Sequence, residues 1–262
     1  MVRNDAFEIV DDAACIAARI APAGRHVSRC GKIVRHIQSR IYWFASAEAV
    51  RTMTSIFTTN PRRESTMTER ITRGPDDAAT TIVTVPGLHG SEAAHWQSWL
   101  EGEFPATCRV EQRDWSMPHL ERWSAAVRDA IGEIDGPVVI AAHSFGCLAT
   151  AHALGPHGEL ASKVKGILFV APASPHKFRD AGAFDARRLD TPSLVVGSET
   201  DPWMPLDDAR TLAQRWNSAF INLGDAGHIN TAAGYGPWPL ARHFVETLAR
   251  RVLSDVEERA TA

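Results

Sequence analysis

The sequence predicts a three-layer α/β domain, with helices covering both faces of a parallel sheet of about six strands. Three observations carry this expectation. Short apolar runs rich in β-branched residues recur between residues 80 and 223, and helical periods separate most of them. One of these runs, beginning at Pro137, turns abruptly into a helix-forming run around Ser144. Finally, Gly-bearing turns follow several of the runs at the same place, just after the strand ends.

In chain order, residues 80–85 read as the first strand, with a Gly-rich turn at 86–91. A helix is expected over 93–104, where Trp96 and Trp99 share a face, followed by a short strand over 108–112. A loop ending in Met117-Pro118 leads to a helix over 119–134. The run Pro137-Val138-Val139-Ile140-Ala141 suits a buried central strand. The helix after Ser144 is expected to reach Leu154, and Val164–Val170 is a further apolar strand. The segment 172–191 is long for an ordinary connection and has no clear period. It is too short for a separate cap domain, so a minimal cap is expected. Residues 193–196 and 219–223 complete the strands, with helices over 206–216 and 239–253.

Residues 1–66 differ from the rest. They carry ten Lys/Arg against six Asp/Glu, whereas 67–262 carry eighteen against twenty-five. They offer two short amphipathic patches, no strand pattern, and a closing polar stretch Asn60-Pro61-Arg62-Arg63 before Met67. The expected organisation is an N-terminal extension over 1–66, poorly ordered or arising from a start-site artefact, and one α/β domain over 67–262.

Composition excludes several function classes. A net charge of −3 leaves no basic footprint for nucleic acid. No uncharged apolar run reaches the ~18 residues of a membrane span. The four cysteines show no CxxC spacing, and Asp5, Glu8, Asp11 and Asp12 oppose a signal peptide, so a cytoplasmic location is expected. No GxGxxG, P-loop or HExxH pattern is present, and no cofactor or metal is expected. The sequence identifies no protein partner.

In a parallel sheet all strands deliver their C-terminal ends to one edge, where chemistry collects. Ser144 follows the central strand, Asp201 the strand at 193–196, and His228 the strand at 219–223. Taken singly, Ser144 could cap a helix, Asp201 could open a turn with Pro202, and His228 could be a loop histidine. Together they stand in the order nucleophile, acid, base that α/β-hydrolase triads show. A serine hydroxyl needs a base to remove its proton, and a carboxylate fixes the tautomer of that base. Glu199, Asp207, Asp208 and Asp225 are the other acids nearby. Small residues must flank the serine two positions away; Gly146 fits, whereas Ala142 lacks the freedom of glycine at positive φ. The N–H groups of Phe145 and Leu88, with His89 as second choice, are candidates for an oxyanion hole. His89 is also a candidate to contact substrate, with Trp203 walling the pocket. His143 is expected to point away from the site.

The strings Val85-Pro86-Gly87-Leu88-His89-Gly90-Ser91, His95-Trp96-Gln97 and Glu111-Gln112-Arg113-Asp114-Trp115 are shared with one group of small hydrolases. Ala142-His143-Ser144-Phe145-Gly146-Cys147, Gly227-His228-Ile229-Asn230 and Gly236-Pro237-Trp238-Pro239 belong to the same set. Over about residues 78–252 the chain resembles the retinoblastoma-binding-protein-nine-type serine hydrolases of the α/β-hydrolase superfamily. The resemblance implies a compact hydrolase with a Ser-Asp-His triad, falling here on Ser144, Asp201 and His228. The expected function is cleavage of a small-molecule acyl substrate of ester type through an acyl-enzyme. The alternative is a non-catalytic binding protein that keeps the hydrolase scaffold.

Overall fold

Six strands form one sheet: β1 Thr81–Val85, β2 Thr107–Arg109, β3 Val138–His143, β4 Val164–Val170, β5 Ser193–Gly197 and β6 Ala219–Asn222. The computed structural model describes residues 80–155 and 158–260, so the expected extension over 1–66 lies outside the described residues. The helices are α1 Trp96–Glu101, α2 Leu120–Gly132, α3 Phe145–Ala153, α4 Gly158–Lys163, α5 Leu206–Trp216 and α6 Pro239–Ala260. Among the described residues, no helix is long and apolar enough to cross a membrane.

The spatial order is β2-β1-β3-β4-β5-β6, and every pairing is parallel. Among the described residues the sheet begins with β1, steps outward to β2, then returns past β1 to lay β3 on its other side. That reversal creates a crevice beyond the C-terminal ends of β1 and β3, where open α/β sheets bind ligands. Register puts Val85 opposite Ala142, so the turn after β1 and the serine after β3 emerge side by side.

Alternation along the strands feeds two apolar layers. Val83, Val85, Ile140 and Phe169 face a core closed by Trp123 and Val127 of α2, Leu148 of α3 and Leu212 and Trp216 of α5. Ile82, Val139, Leu168 and Val196 face the other core, closed by Trp96 and Leu100 of α1 and Phe244, Val245 and Leu248 of α6. This is the αβα sandwich of the α/β-hydrolase fold. Segment 172–191 contains only a three-residue 3-10 turn, Arg179–Ala181, and forms no separate cap.

Some element bounds differ from the sequence expectation, each for a local reason. Helix α1 begins at Trp96, because His95 takes an extended conformation and its Nδ1 accepts the N–H of Gln97. Strand β2 is the sheet edge, shorter than expected and displaced toward Thr107, and it pairs only with Ile82 to Thr84. Helix α6 continues beyond the expected residue 253 to Ala260. Helix α4, a single short segment, had no periodic signal of its own.

Candidate active site

The tightest point of the site is the turn from β3 into α3. Ser144 sits there at φ 53° and ψ −123°, a conformation that side chains rarely adopt. Its N–H donates to Val170 O, and its carbonyl accepts from Cys147 N and Ala173 N. These bonds hold the strained residue in place. A Cβ on Gly146 would stand 2.3 Å from Val85 O and 2.5 Å from Pro86 O, so no larger residue fits there. Ala142 is different. It lies within the extended strand and is absent from the positive-φ residues, so glycine's freedom is not needed at that position.

The structure brings Ser144, His228 and Asp201 together. His228 Nε2 lies 2.9 Å from Ser144 Oγ, and His228 Nδ1 lies 2.9 and 3.0 Å from the two carboxylate oxygens of Asp201. The Asp201 carboxylate can only accept, so Nδ1–H donates to it; in the neutral ring, Nε2 is then left to accept from the serine hydroxyl. The side chains of His228 and Asp201 are 10% and 2% exposed, which shields this contact from water. Asp201 Oδ1 also accepts the N–H of Trp203. The aspartate thus opens a turn and faces His228 with the same carboxylate.

The neighbouring acids are turned elsewhere. Glu199 accepts from Asn222 Nδ2, and Asp225 accepts from the Thr200 hydroxyl. Asp207 and Asp208 lie in the first turn of α5, where acids suit the helix dipole. Ser198 and Thr200 join the Asp201 loop to the His228 loop. Ser198 Oγ donates to Gly224 O and accepts from Ala226 N, while Thr200 Oγ1 accepts from Gly227 N.

The turn after β1 lies directly over the serine. The N–H of His89 donates to Trp115 O at 2.8 Å, which removes it as an oxyanion donor. Among the described residues, the N–H groups of Leu88 and Phe145 have no protein acceptor. The side chain of His89 is exposed. Trp203 is 43% exposed, with its ring 6.3 Å from that of His228 and 6.2 Å from Phe178. Phe178 in turn lies 5.0 Å from Phe145 and Phe145 5.1 Å from Trp123, so a chain of aromatic rings runs from Trp203 beside His228 into the buried core.

His143 points away from the serine hydroxyl, but it is not idle. Its Nε2–H donates to the carbonyl oxygen of His228, and its ring packs 4.9 Å from the rings of His228 and His95. Burial drives its pKa well below the ordinary histidine value, with the neighbouring His228 and His95 adding to the effect. His95 is likewise pushed down to about 4, chiefly by burial. Gln97 is a further buried polar group; its Nε2 donates to Val85 O and Ala141 O, tying the ends of β1 and β3 together. A polar side chain on the buried face of α1 is the sequence signal for Gln97. Nothing local marks His143, Ser198 or Thr200. Among the described residues, no cluster of three or more His, Cys, Asp or Glu side chains is placed to hold a metal ion.

A model of the serine hydrolase family matches residues 82–247. The chain belongs to that family. Its solved-structure relatives include a YdeN-like hydrolase from Pectobacterium atrosepticum. That protein is 33% identical, with 78% of this chain and 98% of that one covered and a TM-score of 0.60. The ydeN gene product of B. subtilis is 19% identical over 66% of this chain and 100% of its own, with a TM-score of 0.56. Est1E of Butyrivibrio proteoclasticus, solved with ferulic acid, is 14% identical over 68% and 90%, with a TM-score of 0.50. These last two share the fold. Comparison with curated proteins found no match. The matched span runs from β1 into α6 and includes Ser144, Asp201 and His228.

Proposed function

We propose that this hydrolase cleaves small acyl esters through an acyl-enzyme on Ser144, with His228 as base and Asp201 as its orienting acid. The observation that carries the proposal is the unbroken line of hydrogen bonds from Ser144 Oγ through both ring nitrogens of His228 to Asp201. Membership of the serine hydrolase family supports it, as does the resemblance to retinoblastoma-binding-protein-nine-type hydrolases.

In the first step Ser144 Oγ attacks the ester carbonyl while its proton passes to His228 Nε2. The imidazolium so formed is stabilised by Asp201. The carbonyl oxygen becomes an oxyanion, and the N–H groups of Leu88 and Phe145 are the donors assigned to it. On collapse the ester C–O bond breaks and the alcohol leaves with the proton from His228. Water then attacks the acyl-enzyme by the same route, regenerating Ser144 and releasing the acid. The scheme needs no cofactor. His89 and Trp203 are assigned to substrate contact, at the turn and on the aromatic side. The cysteine pattern makes the cytoplasm the proposed compartment.

Fluorophosphonate labelling and turnover of p-nitrophenyl acetate test the proposal. Labelling should occur on Ser144 and vanish in Ser144→Ala. Turnover should fall ~10⁴-fold or more in Ser144→Ala and His228→Ala, and somewhat less in Asp201→Asn. Wild-type turnover by Ser144→Ala would overturn the assignment, and a wild-type protein that neither labels nor turns over would leave a binding protein on a hydrolase scaffold.

A further inference from the structure

Ile229, the residue after His228, adopts φ 48° and is fully buried. A β-branched side chain in the left-handed region is a genuine outlier and persists only where its surroundings enforce it. Two buried rings supply that enforcement. The indole Nε1–H of Trp96, at the start of α1, donates to Ile229 O at 3.0 Å. The imidazole Nε2–H of His143, at the end of β3, donates to His228 O at 3.0 Å. Consecutive carbonyls around the strained residue are therefore each fixed by a side chain from a different element. The two rings also meet edge to face, 6.1 Å apart, so they form one packed unit beneath the loop.

We infer that Trp96 and His143 are positioning residues, holding the His228–Ile229 backbone in its strained form so that His228 Nε2 faces Ser144. The inference rests on His228 being the general base. Both donors are available at neutral pH. An indole N–H does not titrate, and burial keeps the His143 ring neutral, so the nitrogen facing a carbonyl is the one that carries hydrogen. Neither ring makes a hydrogen bond to the serine hydroxyl among the described residues. Their effect therefore passes through the geometry of the base. Without them, Ile229 can relax toward negative φ, and the imidazole that precedes it swings away from its 2.9 Å contact. Displacements of about 1 Å at such a contact cost ~10²-fold in rate.

The test uses the full chain with p-nitrophenyl acetate and follows kcat and KM separately. Trp96→Phe and His143→Leu each delete one donor, and both should lower kcat about 10- to 100-fold with KM little changed. His143→Gln can still offer an amide N–H to the same carbonyl and should recover most of the loss. Placed in a His228→Ala background, Trp96→Phe and His143→Leu should cause no comparable further loss, because their action passes through a base that is gone. Wild-type kcat in both donor deletions overturns the inference, as does a loss carried undiminished into the His228→Ala background. If a donor deletion does not fold, Ile229 gives a second route. Combined with the surviving deletion, Ile229→Gly should be more active than Ile229→Ala, because glycine takes φ 48° without strain. Equal activity of those two overturns the inference. Wild-type turnover by His228→Ala alone would instead bring down the general-base reading, and the inference with it.

Discussion

Gly87 lies so close to Ser144 that a methyl group on it would stand 2.6 Å from the serine Cβ and 3.2 Å from Oγ. The contact spans 57 residues of sequence and exists because β1 and β3 are neighbours in the sheet. It fixes the distance between the turn bearing Leu88 N–H and the Ser144 hydroxyl, the proposed nucleophile. Gly87→Ala should therefore displace Ser144 or the turn and lower kcat on p-nitrophenyl acetate about 100-fold. The φ of Gly87 is not positive, so the substitution acts by steric contact and not by backbone strain. Wild-type kcat in a folded Gly87→Ala protein would show that the turn yields freely.

A preference for short acyl chains is expected because, among the described residues, segment 172–191 forms no separate cap. With only a three-residue 3-10 turn in segment 172–191, little apolar surface is available to cover a long chain. kcat/KM should fall from acetyl toward palmitoyl esters, and a steady rise along that series would refute the open-site reading. Trp203, 43% exposed beside His228, is the flat surface on which a short acyl group or its alcohol can pack. Trp203→Ala should raise KM about 5- to 30-fold, matching the ~1–2 kcal/mol of one partial apolar contact. An unchanged KM would remove Trp203 from the pocket wall.

Ser198 offers a measure of how firmly the two loops are joined. Its hydroxyl is 2% exposed, donates to Gly224 O and accepts from Ala226 N and Thr200 N. Ser198→Ala leaves a buried N–H and a buried carbonyl without this partner, at a cost of about 1–3 kcal/mol. Urea unfolding should show a free energy of unfolding lower by that amount, read as a lower midpoint, and turnover should fall with it because both loops carry residues of the site. An unchanged midpoint would mean that the backbone bonds Glu199 N to Gly224 O and Leu223 N to Gly197 O suffice alone.

Acid should destabilise the protein through its buried and half-buried histidines, among them His95 and His143 beside the site and His243 on α6. Unfolded histidine takes up a proton near pH 6.5. Burial in the folded chain holds His95 down to about 4 and His143 well below its ordinary value. Between those limits the unfolded state binds more protons, so stability falls as pH falls. The slope is at most about 1.4 kcal/mol per pH unit for each histidine. Thermal unfolding from pH 7.5 to 5 should show Tm decreasing. His95→Asn keeps an N-cap acceptor for Gln97 N–H but does not titrate, so it should flatten that decline. A decline of undiminished slope in His95→Asn would assign the acid sensitivity to other groups.

The strands, the serine turn and the order Ser144, Asp201, His228 were legible in the sequence. Their signals are local: an apolar run bounded by turn residues, a small residue two places after a serine, a charged residue where a strand stops. The unexpected α4 and the early end of β2 show the limit of such signals. A one-turn helix has no period to read, and an edge strand can pair only as far as its neighbour allows.

What tertiary structure alone decided is which strand ends meet. The order β2-β1-β3-β4-β5-β6 places Gly87 against Ser144, and packing of α1 beneath the His228 loop delivers the Trp96 indole to Ile229 O. The sequence places His143 beside Ser144, yet in the sheet it faces His228, 85 residues away. Alternation along a strand sends adjacent side chains to opposite sides, and only the fold determines what waits on the far side. The left-handed Ile229 is the clearest case, since its own preferences oppose the conformation and contacts from α1 and β3 impose it.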